Sequence, residues 1–131
     1  MSDPSLELQA ALVVRLKNNC GAAADRVFDR PAANATFPYL TLGEGQVLPD
    51  KADCIDGVVC YPVINVWSRA VGYLEAKAVA KAVLDALDDR PLAVEGFAVV
   101  VFELHELRYL RDPDGITSRA VITFHALIQP S

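Results

Sequence analysis

The sequence predicts an α+β fold: a mainly antiparallel sheet with two helices packed on one face, in the order α-β-β-α-β-β-β. Three observations carry this. Two stretches have apolar residues at helical spacing, one near the start and one in the middle. The closing segment alternates apolar and polar residues with a period of two. A proline- and glycine-containing turn joins that segment to a long apolar run before it, which reads as a hairpin. Helices on one face of an antiparallel sheet give both kinds of element a place to bury an apolar side. The 131 residues suit one domain over 1–131. A composition of 53% hydrophobic and 22% charged residues excludes disorder. It is also rich for so short a chain, so partner subunits are expected to cover part of the apolar surface.

The elements follow in order. Asp3 is placed to cap the first helix, with Pro4 at its first position and Glu7 in its first turn. Leu8, Ala11, Leu12 and Leu16 share one face, and Gly21 offers a stop. Residues 21–36 read as a loop with one short strand at Arg26–Asp29. A strand starts at Tyr39-Leu40-Thr41-Leu42 and runs to Leu48, with Gly43 and Gly45 marking a bulge or twist. Pro49 to Gly57 is a polar loop holding Asp50, Asp53 and Asp56. Val58 to Trp67 is the next strand, and Pro62 leaves one edge of it locally unpaired.

The second helix opens at Ser68 or Arg69. Tyr73, Ala76, Val79, Ala80, Val83, Leu84 and Leu87 lie on one side, and Glu75, Lys77, Lys81, Asp85 and Asp88 on the other, before Pro91 ends it. Phe97 to Arg111 is long for one strand, so a bend is expected near His105–Leu107. Asp112-Pro113-Asp114-Gly115 makes the turn. In the last strand Ile116, Ala120, Ile122, Phe124, Ala126 and Ile128 face one way, and Thr117, Arg119, Thr123 and His125 the other.

The chemistry is sparse. A formal charge of −5 repels phosphate and disfavours tight nucleic-acid binding. No run approaches the ~20 apolar residues of a membrane helix. Met1-Ser2-Asp3-Pro4 lacks the basic residues and apolar core of a signal peptide, so folding in a cytoplasm is expected. Cys20, Cys54 and Cys60 have no CxxC spacing and read as free thiols. His105 and His125 lie in strands outside any HExxH pattern. Gly43-Glu44-Gly45 is not followed by a helix, which excludes the common nucleotide-binding fingerprints, and no Gly-x-Ser-x-Gly elbow occurs. Catalytic residues, a cofactor and a resident metal are therefore not expected.

What remains is a set of candidate contact residues. Asp53 and Asp56 belong to an acidic loop that is either solvated or subunit-facing, with an adventitious Mg²⁺ or Ca²⁺ as the other reading. Trp67 serves either as core packing at a strand–helix junction or as an interface anchor. Arg69 stands two residues beyond it. Arg108, Arg111 and Arg119 either pair with Glu103, Glu106 and Asp112 at the surface or reach a partner subunit.

Several segments carry a resemblance. They are Asp3-Pro4-Ser5-Leu6-Glu7-Leu8-Gln9-Ala10-Ala11-Leu12, Phe37-Pro38-Tyr39-Leu40-Thr41-Leu42-Gly43, Ala52-Asp53-Cys54-Ile55-Asp56-Gly57, Val66-Trp67-Ser68-Arg69 with Gly72-Tyr73-Leu74-Glu75-Ala76-Lys77, and Leu110-Arg111-Asp112-Pro113-Asp114-Gly115 with Ser118-Arg119-Ala120-Val121. In order and spacing they resemble the tail-completion or tail-terminator family of long, non-contractile-tailed phages, and within it the tail terminator of gene transfer agents. The resemblance spans nearly the whole chain. It implies a structural protein without enzymatic activity that forms a ring, usually a hexamer, on the last ring of the tail tube. That ring would end tube growth and meet the head-completion proteins of the neck. Its place would be the neck end of the virion tail, after assembly in the bacterial cytoplasm. DNA would pass through the lumen without specific binding, and six copies would carry about −30 charges that repel it. A related neck or head-closure adaptor, and a small ligand-binding enzyme, are the other readings.

Overall fold

The computed structural model describes residues 3–17, 19–31, 33–43, 45–50 and 57–131. Helix α1 spans Ser5–Leu16. The Asp3 carboxylate accepts from the Ser5 N–H at 2.9 Å and from the Ser5 hydroxyl, so it caps the helix from one residue before the N-cap Pro4. Leu8, Leu12 and Leu16, four residues apart, bury one face. Arg15 donates to the carbonyls of Ala86 (3.0 Å) and Pro91 (2.7 Å). It thereby satisfies a carbonyl in the last turn of the second helix, where no intrahelical donor is left.

The strands are β1 (Val27–Phe28), β2 (Tyr39–Leu42), β3 (Gln46–Asp50), β4 (Gly57–Tyr61), β5 (Val63–Ser68), β6 (Phe97–Arg111) and β7 (Ser118–Pro130), with α2 (Leu74–Leu87) between β5 and β6. Among the described residues all seven strands form one sheet organised on β7. Strand β6 pairs along one edge of β7. The other edge is shared, with β5 opposite residues 118–123 and β4 opposite 126–128. From there the sheet divides into two wings, β5–β2–β1 and β4–β3. All neighbours are antiparallel except β1 and β2.

The division is written in the chain. Pro62 has no N–H to give the ladder, so Val58–Trp67 breaks there into β4 and β5, while the Pro62 carbonyl still accepts from Phe124 N–H at 2.9 Å. The glycine segment breaks the facing stretch at the same level. The strand expected from Tyr39 to Leu48 is therefore two strands, each paired in its own wing, and the second runs on into Pro49 and Asp50.

Three other boundaries differ from expectation. Helix α2 starts at Leu74 rather than at Ser68 or Arg69. The Ser68 hydroxyl accepts from Ala70 N–H (3.2 Å) and donates to Glu75 (2.8 Å), and Gly72 has φ +72°, which a right-handed helix excludes. The final strand starts at Ser118, and Ile116 is 63% exposed rather than core-facing, because the Asp114 carboxylate holds the Ile116 and Thr117 N–H groups in the turn. After α2 there are two long strands, not three. The irregularities of β6 are register slips at Val99/Val101 and Leu104/Glu106, so the bend expected near His105 is a bulge inside one strand.

The helices cover one sheet face. Ala120, Ile122, Phe124, Ala126 and Ile128 of β7 are fully buried there, with Ile64 and Val66 of β5 and Val58 and Cys60 of β4. Ala76, Val79, Ala80, Val83 and Leu87 of α2 close the core from above. Phe102 stacks on Phe124 with centroids 4.9 Å apart. The opposite face has no helix against it among the described residues.

Candidate subunit interface

Strand register lays out that open face row by row. One row runs Tyr39–Trp67–Arg119–Leu110, and the next runs Thr41–Asn65–Val121–Arg108. Below them lie Val63–Thr123–Glu106, then His125–Glu103. Period-two alternation on four neighbouring strands is what lines these side chains up.

The first row is tightly organised. The Trp67 indole N–H donates to Thr41 Oγ1 at 2.9 Å, which ties the ring of β5 to β2. Tyr39 stacks beside it at 6.3 Å, and the Arg119 guanidinium lies 4.9 Å from the indole centroid. Arg119 Nε is shielded from solvent and has no hydrogen-bond partner among the described residues. Phe28 and Phe37 pack on Tyr39 at 5.8 and 4.8 Å. Arg69 sits over Phe37 at 4.6 Å and donates Nε–H to Thr117 Oγ1 at 3.2 Å. Burial raises the Tyr39 hydroxyl pKa; nearby Arg69 opposes that rise and nearby Asp112 adds to it. Trp67 is thus neither a core residue nor a free one. It is a half-buried ring held by a hydrogen bond and clamped by a guanidinium.

The other predicted residues divide. Arg108 lies on the same open face in an exposed ion pair with Glu106 at 3.0 Å, and Glu103 pairs with His125 at 3.3 Å. Arg111 stands opposite Ser118 on the helix-covered side, with its guanidinium 5.1 Å from the Tyr73 ring. The three arginines therefore do not form one patch. Asp112 is a turn residue, its N–H bonded to the Thr117 carbonyl and its carbonyl to Gly115 N–H. Beside it Asp114 accepts from Thr117 N–H, Ile116 N–H and the Thr117 hydroxyl, which together hold its carboxyl down at about 2. Asp53 and Asp56 lie outside the described residues.

The aromatic cluster of Phe28, Phe37 and Tyr39, and the Tyr61 ring 5.1 Å from His105 and 5.5 Å from His125, were not legible as contacts in the sequence. Pairing Tyr39–Leu42 with Val63–Ser68 is the step that reveals the first, and no local motif signals it.

For chemistry the arrangement offers little. Burial raises the Cys20 thiol and pushes the Cys60 thiol up to about 11, so both stay protonated and weakly nucleophilic at neutral pH. Both are free. Among the described residues no group of three His, Cys, Asp or Glu side chains is placed to hold a metal ion, and no helix is long and apolar enough to cross a membrane. The open face instead presents flat aromatic rings and guanidinium groups on a rigid sheet, the residue types that dominate protein–protein contacts.

Comparison with known proteins points the same way. The sequence profile of the family described as Tail completion protein gp17 matches residues 7–129. The Tail completion protein gp17 of Bacillus phage SPP1 is 28% identical over 98 residues, which is 75% of this chain and 72% of that protein. A chain from the virion of a native gene transfer agent (GTA) particle superimposes with a TM-score of 0.89 at 26% identity, covering 98% of this chain and 99% of that one. The likeness thus extends through both helices and both wings of the sheet, and the chain belongs to the tail completion protein gp17 family.

Proposed function

We propose that this chain is a structural tail-terminator subunit of a phage-like particle. Copies close into a ring, a hexamer in our reading, on the last ring of the tail tube. The ring ends tube growth and joins the tail to the head-completion proteins of the neck. The observation that carries this is the end-to-end likeness to a chain of a gene transfer agent virion, with nearly all of both chains superimposed. Membership of a tail completion protein family favours a structural over an enzymatic role.

The physics of such a part is simple. A tube grows because each ring offers the next one the same heterologous surface, and such contacts do not terminate by themselves. A terminator occupies that surface once and presents a different one outward. The lumen must also let DNA slide. A formal charge of −5 per copy repels phosphate and gives DNA little to adhere to. Trp67, Arg69, Arg108, Arg119 and the acidic loop with Asp53 and Asp56 are the residues we assign to subunit and partner contacts. Assembly takes place in the bacterial cytoplasm, and the mature location is the neck end of the tail.

Deletion of the gene tests the reading. DNA-filled heads are expected to persist while tails become abnormal in length or fail to attach. Particles with tails of normal length joined to heads at wild-type yield would refute the role.

A further inference from the structure

Among the described residues, two apolar patches are exposed near the two ends of α2. The first lies on the outer face of α1, where Leu6 is 78% and Val14 77% exposed, with exposed Ala10 between them at four-residue spacing. This stripe is turned away from the buried Leu8–Leu12–Leu16 face, and with Leu92 it borders a shallow groove. The groove also takes in Glu7 and Glu95. Glu7 Oε2 is shielded and has no hydrogen-bond partner among the described residues.

The second patch is a knob at the turn end of the β6–β7 hairpin. Val71 is 99%, Leu74 84% and Ile116 63% exposed. Two tethers hold the segment before α2 against the turn, Ser118 Oγ to the Gly72 carbonyl (3.3 Å) and Arg69 Nε to Thr117 Oγ1 (3.2 Å). Exposed Arg69 and Arg111 flank it. The Asp114 carboxylate in the same turn is engaged by the Ile116 and Thr117 N–H groups.

The patches differ in shape, and each offers charged groups at its edge. One is a groove lined by Glu7 and Glu95 with Arg15, whose guanidinium is engaged by the Ala86 and Pro91 carbonyls. The other is a knob that carries the guanidinium groups of Arg69 and Arg111 beside the turn carboxylates Asp112 and Asp114. They also lie at opposite ends of α2. The stripe faces the segment after the helix, held there by Arg15 to Ala86 and Pro91, and the knob precedes its first turn. Fourteen residues at the helical rise separate those ends by about 20 Å. A ring of the kind proposed above needs two different surfaces on each copy, one for each neighbour. Such surfaces meet head to tail, and the contacts close into a ring when the rotation fits.

We propose that the knob of one copy, Val71, Leu74 and Ile116, seats in the Leu6–Ala10–Val14 groove of the next copy, with Arg69 and Arg111 meeting Glu7 and Glu95. This rests on the ring reading above and names the contact that builds the ring.

Cross-linking tests it. In a full-length Cys54→Ser background the buried Cys20 and Cys60 are shielded from thiol reagents. Val14→Cys and Val71→Cys are introduced singly and together, and assembled tails are treated with a short bismaleimide. The double variant is expected to give a ladder of covalent multimers up to the full ring, and each single variant at most a faint dimer. Tails that carry a ring of this chain by electron microscopy but show no ladder above the single variants would overturn the proposed pairing and leave the ring reading standing. Tails that carry no ring of this chain would overturn both.

Discussion

At the residue scale, the side chains that matter are those whose polar atoms are committed within the fold. Asp114 shows it most clearly. Three donors converge on its carboxylate and depress its pKa from 3.8 to about 2, although the group is exposed. A depressed carboxylate contributes stability that is present above its unfolded pKa and lost as pH falls through the folded one. The contribution of the β6–β7 turn should therefore be intact above pH ~4 and disappear between about 4 and 2. Urea unfolding of the wild type and Asp114→Asn across this range should show the difference at pH 5–6 shrinking towards zero near pH 2. A difference independent of pH would mean that the carboxylate charge is irrelevant to the turn. The sequence identified Asp114 as a turn residue. It could not show that Ile116 would be drawn out of the strand by the same carboxylate. Nor could it separate the arginines. Arg108 is in an exposed pair of a kind worth ~0–1 kcal/mol, while Arg119 lies on Trp67 with a shielded Nε that has no partner among the described residues. Distinguishing them requires knowing which faces β5 and β7 turn to each other.

At the element scale, periodicity was a sound guide wherever one face of an element is buried by its own chain. The buried faces of α1, α2 and β7 are close to those that spacing indicates, because burying a continuous apolar stripe dominates local preference. The misreadings fall at breaks. A proline and two glycines were visible, but that they cut two facing strands at one level, producing two wings, depends on pairing between distant segments. Helix α1 separates the two kinds of apolar residue cleanly. Leu12 is 3% exposed under the helix and Val14 is 77% exposed on top of it. Leu12→Ala should cost about 2–5 kcal/mol through lost burial and the cavity left behind. Val14→Ala should stay within ~0.5 kcal/mol. Urea midpoints at unchanged m-value check both. Similar losses for the two variants would contradict the orientation of α1, and with it the groove assigned to the next subunit.

At the scale of the whole molecule, the fold class was legible from two helical stretches and one hairpin, and the family from segments spread over the chain. What the molecule assembles into is only partly legible, since the proposed ring would be a property of surfaces that no single strand or helix encodes. Three features support the proposed ring: an open sheet face of clamped aromatic rings, two exposed apolar patches near the two ends of α2, and a net charge of −5 that suits the proposed passage of DNA. In this account the chain is a cap that occupies one level of the particle, between the end of the tail tube and the neck. A reconstruction of the head–tail junction tests that most directly. One closed ring of this chain is expected at that level, with no copies along the tube. Copies repeated along the tube, or none at the junction, would contradict it.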